Sequence, residues 1–150
     1  ILMGLFEHIE SGKKIVFGTL HLKAKPEFVH VREIEIQMYL EHLKDFLTSI
    51  QDNENDQAED AQAIPVIVAG DFNTSHSSPI LGNLASIGLS DSFRAVGSSW
   101  GMTWPYLPPK YPMIRMDYVW FSKQLLPLRI QIGQFVGSDH LPIVVDFSLK

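Results

Sequence analysis

Six residues in this sequence carry the means for chemistry. Asp71 and Asn73 stand two apart in "VIVAGDFN", His21 lies in "TLHL", Asp117 in "RMDYVWFS", and Asp139 and His140 are adjacent in "GSDHLPIVVDF". All sit at or near the ends of apolar runs, where ligands of α/β folds tend to gather. Three carboxylates, two imidazoles and an amide suit hydrolysis at phosphorus. Hard oxygen ligands take a divalent metal that neutralises a phosphate and its leaving group. A base activates water, and a carboxylate can fix the tautomer of an imidazole. Imidazole and amide donors stabilise charge on the non-bridging oxygens. Taken singly, each has a plainer explanation. Gly-Asp-x-Asn after a strand is good turn chemistry, Ser-Asp-His could cap a loop, His21 could be a satisfied core histidine, and Asp117 could pair with Arg115. Taken together and in this order, the set points to a site.

The elements that must position these residues can be read from periodicity. Residues 15–22 read as a buried strand containing Gly18, preceded by a hairpin at "LFEHIESGKK". Residues 32–50 read as an amphipathic helix, with Ile36, Leu40, Leu43, Leu47 and Ile50 at helical spacing. Residues 64–69 form a strand that stops at the Gly70-Asp71-Phe72-Asn73 turn. Residues 77–88 predict a short helix with Ser77 or Ser78 as cap, Pro79 in its first turn and Gly88 at its end. Residues 98–115 read as an ordered aromatic loop. Residues 115–122, 126–137 and the end of 138–149 read as strands. This order predicts an α/β layered domain with a mixed sheet.

Length and composition agree with one globular domain. The chain has 150 residues, 45% hydrophobic and 19% charged. No stretch has transmembrane length, and nothing assigns a compartment or an oligomer. The absence of cysteine excludes disulfides, thiolate nucleophiles and zinc–thiolate sites, so any metal must use oxygen or imidazole. The net charge of −5 is concentrated in residues 51–63, "QDNENDQAEDAQA", which hold five acids and no base. The remainder has 12 acids against 12 bases, so no overall basic charge marks a nucleic-acid-binding domain. The acidic run is expected to end the helix and to form a flexible, solvated insertion. The start at Ile1 rather than Met suggests a piece of a longer chain.

The stretches "TLHLKAK", "GDFN", "MDYVWFS" and "GSDHLPIVVDF" resemble the C-terminal half of the endonuclease/exonuclease/phosphatase superfamily, over about residues 15–147. "HLKAK" followed by Arg32 and Gln37 on a helix looks most like its deadenylase branch, the nocturnin and carbon-catabolite-repressor type. The resemblance implies part of a DNase I-like four-layer α/β sandwich, a mixed sheet with helices on one face, in a partial domain spanning 1–150. It implies a divalent-metal-dependent phosphodiester hydrolase using Mg²⁺, with Mn²⁺ as the alternative. His140 would be the general base or the phosphate-binding imidazole, with Asp117 on its other ring nitrogen. Asp139 would be a metal ligand, Asp71 would orient or deprotonate water, and Asn73 and His21 would bond the phosphate. Trp104, Tyr106 and Tyr111 would stack on a base, although loop packing explains them equally well.

The family's N-terminal half supplies an Asn and a Glu, the Glu being the principal metal ligand, and nothing before Ile15 matches them. The expected partner is nucleic acid, RNA ahead of DNA, or another phosphodiester. A phospholipid, phosphoinositide or sphingomyelin substrate is an alternative within the family. A truncated, non-catalytic scaffold is an alternative outside enzymology.

Overall fold

The computed structural model describes residues 2–54, 64–106 and 111–150. Its main sheet has five strands: β1 (Leu2–Glu7), β2 (Lys14–His21), β3 (Val66–Asp71), β4 (Ser90–Asp91) and β5 (Asp117–Phe121). Their spatial order is β1-β2-β3-β5-β4. β2 and β3 are parallel, and the other pairs are antiparallel, so the sheet is mixed as predicted. β6 (Leu125–Ile132) and β7 (Ile143–Leu149) form a separate antiparallel pair. Two strands alone are marginally stable in water. This pair is anchored to the main sheet, with the ring of Phe147 5.4 Å from that of Phe121.

Alternation along the strands divides the main sheet into two faces. Val16 and Leu20 of β2, Val68 of β3, and Tyr118 and Trp120 of β5 are buried in one core. The long helix α1 (Val29–Glu54) and the short α2 (Gly82–Ser86) cover that face. From α1 come Ile36, Tyr39, Leu43 and Ile50, all buried, with Leu40, Phe46 and Leu47 half-buried against them. Each large apolar side chain removed from water contributes roughly 1.5–3 kcal/mol, which is why a helix of modest propensity is held here. The opposite face of the sheet is open at its β1–β2 side, where Leu2, Phe6 and Phe17 are exposed. Part of a DNase I-like sandwich, with helices on one face of a mixed sheet, is the architecture observed.

Three details differ from expectation. α1 begins at Val29 and runs to Glu54, so the first four residues of the acidic run continue the helix instead of ending it. Buried Ile50 anchors the last apolar turn, and propagation past an anchored turn costs little. The rest of that run, 55–63, lies outside the described residues, as does 107–110 of the aromatic loop. β4 and the short α3 (Ser92–Val96) occupy a stretch where the sequence pattern predicts no element. Residues 77–88 split into a 3₁₀ turn at Pro79–Leu81 followed by α2. No helix of the described residues is long and apolar enough to cross a membrane.

Gly18 is where α1 comes closest to the sheet. A Cβ there would overlap the Tyr39 hydroxyl and lie 3.2 Å from its Cζ. That hydroxyl is fully buried and has no hydrogen-bond partner among the described residues. Gly18→Ala is therefore expected to destabilise the fold by about 1–3 kcal/mol through overpacking. Tyr39→Phe removes an unsatisfied polar atom and should be neutral or mildly stabilising. The double variant should recover part of the Gly18→Ala loss. Urea unfolding of the three variants measures this, and strictly additive changes would rule out the contact.

Candidate active site

Strand pairing places three of the six residues in a row. His21 pairs with Asp71 across β2 and β3, and Asp71 pairs with Asp117 across β3 and β5. Neighbouring strands lie roughly 4.8 Å apart, so the three side chains stand side by side at one end of the sheet. β3 can end on Gly70-Asp71 because Gly70 has φ +150°, and a Cβ there would overlap the Leu20 carbonyl oxygen. The chain then turns sharply through Asn73 at φ +47°, a left-handed conformation that Asn tolerates.

Asp71 and Asn73 close that turn together. The Asn73 N–H donates to Asp71 Oδ1 at 2.8 Å, and Asn73 Nδ2 donates to Asp71 Oδ2 at 3.2 Å. Asn73 Nδ2 also donates to the Leu22 carbonyl at 2.7 Å, tying the turn to the segment after β2. The far side of that segment is held by α1. Buried Arg32 donates Nη1 to the carbonyls of Lys23 and Lys25, both at 2.8 Å, and Glu35 accepts from the Lys23 N–H at 3.0 Å. His21 itself is 74% exposed, with Nε2 3.5 Å from Asp71 Oδ2, so it is not a core histidine.

The loop between β6 and β7 brings in His140. Its Nδ1 donates to Asp117 Oδ2 at 2.8 Å, which leaves Nε2 facing Asp71 Oδ2 at 3.8 Å. Asp117 thus pairs with His140 and not with Arg115. Arg115 is buried and bonds Asp91 through Nη2–Oδ2 at 2.6 Å and Nη1–Oδ1 at 3.2 Å. Asp91 also caps α3 by accepting from the Phe93 N–H at 3.0 Å. The Arg115 guanidinium lies over the rings of Phe93 and Tyr118, 5.3 and 4.6 Å from their centroids. This buried pair fixes the chain two residues before Asp117.

Thr103 and Trp104 link the loops. Thr103 is fully buried; its hydroxyl accepts from the N–H groups of Met116 at 3.2 Å and Asp117 at 3.4 Å, and its carbonyl accepts from the Leu141 N–H at 3.0 Å. Trp104 donates its indole N–H to Asp139 Oδ2 at 3.2 Å, and the Tyr106 N–H donates to the Asp139 carbonyl at 2.7 Å. The Trp104 ring lies 6.3 Å from the His140 ring, and Tyr106 packs on Phe135 at 5.4 Å. Both aromatics therefore hold the Asp139–His140 loop in place. Tyr111 is exposed. The bonds of Arg32 to the segment after β2, the role of Thr103 and the Arg115–Asp91 pair were not foreseen from sequence. Only Asp91 before Ser92-Phe93 carried a signal, that of a helix cap.

The electrostatics follow from this crowding. Burial raises the Asp71 carboxyl above its ordinary range, and nearby Asp117 adds to this against the lowering influence of the Asn73 N–H, His140 and His21. Burial pulls the His140 imidazole down, but the hydrogen bond and charge of Asp117, then Asp71 and Asp139, outweigh it and raise its pKa. Asp71, Asp117 and His140 each present one donor atom, all within 4.8 Å of one another. Two carboxylate oxygens and an imidazole suit a hard divalent cation as part of its shell. Asp139 stands outside that group of three, with one oxygen on the Trp104 indole.

Two consequences can be measured. Asp117→Asn should lower the His140 pKa, read by NMR titration of its ring, because it removes the hydrogen bond and charge that raise it most. In the parent chain the raised pKa adds stability below about pH 6.5, the ordinary histidine value, and this is lost as pH rises through the folded pKa. An unmoved pKa would detach Asp117 from His140. Separately, Arg115→Met strands Asp91 as a buried charge and should cost about 3–5 kcal/mol, seen as a lower urea midpoint. A loss below roughly 1 kcal/mol, the usual worth of an exposed pair, would show that the pair is solvated.

Comparison with known proteins bears on the family and the fold. The sequence profile of the endonuclease/exonuclease/phosphatase family matches residues 49–140. A CCR4-Not complex 3′-5′-exoribonuclease subunit Ccr4 from Yarrowia lipolytica is 24% identical over 99% of this chain and 28% of its own length. Human Nocturnin is 25% identical over 93% of this chain and 34% of its own. Among solved structures, the human Nocturnin catalytic domain with bound sulfate aligns at TM-score 0.71 and 25% identity, covering 99% of this chain and 52% of that one. A mannosyl-6-phosphatase from Bacteroides thetaiotaomicron aligns at TM-score 0.76 and 20% identity, over 98% and 56%. The chain spans about a third or less of these curated relatives and about half of these solved chains. With 92 of 150 residues inside the family profile, the chain belongs to the endonuclease/exonuclease/phosphatase family.

Proposed function

We propose that this chain is the phosphate-handling half of a Mg²⁺-dependent phosphodiester hydrolase acting on single-stranded RNA. The observation that carries this reading is the row His21–Asp71–Asp117 with His140 closed onto Asp117. The names of the relatives, an exoribonuclease subunit among them, support RNA over other phosphoesters.

The roles follow from which atoms are engaged. Asp117 holds the proton of His140 on Nδ1, so Nε2 is the working end and points into the site. It acts on a phosphate oxygen. Asp71, partly shielded from water and 3.8 Å from that nitrogen, orients the attacking water and takes its proton. His21, exposed and reaching toward Asp71, donates to a second phosphate oxygen. Asn73 gives one amide hydrogen to Leu22; the other, weakly placed on Asp71 at 3.2 Å, is the one a phosphate oxygen would take. Asp71, Asp117 and the second oxygen of Asp139 would hold the metal, with Mn²⁺ able to replace Mg²⁺. The bound cation would neutralise the phosphate and the leaving oxygen.

The Glu that the family resemblance assigns to an N-terminal half is not among these donors. The 150 residues by themselves are thus expected to bind Mg²⁺ weakly and to cleave RNA slowly or not at all. In a protein carrying both halves, His140→Ala should lower kcat by about 10²–10⁴-fold with the fold intact by circular dichroism, and chelation of the metal should abolish turnover. On the chain itself, Mn²⁺ should broaden the NMR signals of Asp71, Asp117 and Asp139, with those of adjoining His140, before any others. An unchanged rate for His140→Ala removes its role, and broadening elsewhere removes the metal assignment. Hydrolysis of phospholipid vesicles in preference to RNA would move the substrate to the lipid alternative.

A further inference from the structure

A second feature lies on the helix-bearing side of the sheet. A cleft of about 420 Å³ runs between the loop after β3, α2, α3 and β5, and a smaller one of about 140 Å³ lies beside it. Both are lined by His76 and Arg94. The acid in their walls, Asp91, is neutralised by Arg115 at 2.6 Å. Arg94 has no carboxylate within ion-pair distance among the described residues. The free charge of the cleft is therefore positive.

Two aromatic residues add independent observations. Trp120 lines the larger cleft, and its indole N–H is sealed from solvent with no acceptor among the described residues. That N–H is out of a ligand's reach, so Trp120 serves as a wall of the cleft whose resonance reports its occupation. Trp100 lines the smaller cleft and is 78% exposed. An exposed indole beside a free guanidinium and an imidazole is the chemistry that holds a base and its phosphates. The clefts also start from the same loops as the site. His76 lies three residues beyond Asn73, and Arg115, in the wall of the smaller cleft, lies two before Asp117.

We propose that this double cleft is a second holding site for single-stranded nucleic acid, with Arg94 and His76 on the phosphates and Trp100 under a base, away from the scissile bond. The inference rests on the nucleic-acid reading of the function. It requires no catalysis, so it can be tested on the chain by fluorescence anisotropy with a labelled single-stranded RNA and a DNA of the same sequence, across a range of salt. Arg94→Gln should weaken binding and reduce the slope of log Kd against log salt by about 0.7, the share of one phosphate on a single strand. Trp100→Ala should weaken binding roughly 5- to 150-fold with the slope retained. Both side chains are exposed, so melting temperatures should match the parent. The Trp120 indole N–H resonance should shift when RNA is added to the parent and stay unmoved with Arg94→Gln at the same concentration. If the parent binds either strand type and both variants bind as tightly, with the same slope, the cleft is not a holding site and the proposed function stands. If the parent binds neither RNA nor DNA, the nucleic-acid reading fails and this inference fails with it.

Discussion

Three neighbouring strands held in one register make this site. β2, β3 and β5 align His21, Asp71 and Asp117 residue for residue. Side chains alternate along a strand, so a slip of one residue would send Asp71 or Asp117 to the opposite face, against the core. The register is fixed locally and from several sides. The Val66 N–H donates to Ser122 Oγ at 2.8 Å, joining the start of β3 to the end of β5. Glycine at position 70 allows the backbone to press on Leu20, and glycine at 18 allows Tyr39 of α1 to press on β2. The close approaches that exclude larger residues are the ones that deny the strands freedom to slide.

The remaining groups come from loops, and loops need ties. The ties are mostly side chain to backbone. Arg32 and Glu35 of α1 fasten the segment after His21, Asn73 fastens the same segment from the other side, and Thr103 joins the entry of β5 to the loop that carries His140. The buried Arg115–Asp91 pair holds the chain just before Asp117. Such a pair adds little net stability over an apolar substitute, but it has few alternative geometries. In this position it converts the short β4 and α3, too small to be stable alone, into a fixed support for β5.

Much of this was legible in the sequence. Apolar runs ending in Asp71, Asp117 and His140 located the strand ends, and helical spacing located α1, because burial on one face imposes a period on the residue pattern. What stayed hidden has no period. Residues 90–96 form a two-residue strand and a five-residue helix, shorter than any window in which alternation can be seen. The pairing of Arg115 with Asp91 joins residues 24 apart in sequence, and nothing local distinguishes it from a pairing of Arg115 with nearby Asp117. Trp104 and Tyr106 could be read as a base platform or as packing; the Trp104 indole bond to Asp139 and the Tyr106 ring against Phe135 show packing, which does not by itself prevent a ring face from also meeting a ligand. The end of α1 was misplaced because composition marks where a helix gains nothing, while the helix itself stops only where propagation becomes unfavourable.

Charge gives the last constraint. The body of the protein is near neutral, yet the site gathers Asp71, Asp117 and Asp139 around one strongly held imidazole and one exposed imidazole. Like charges at such spacing interact by about 4 kcal/mol at an effective dielectric near 20, and the raised pKa of Asp71 records part of that crowding. In the proposed function, a phosphodiester would bring a further negative charge to the same place. Of the cationic groups nearby, Arg32 is turned to carbonyls and Arg115 to Asp91, so neither is free to receive it. Asp91 meets a guanidinium in a buried ion pair, whereas Asp71, Asp117 and Asp139 meet no arginine or lysine among the described residues. With only imidazole, amide and indole partners against them among the described residues, these carboxylates keep their negative charge at a strand edge, which is the physical reason the proposed function calls for a cation there before an anion.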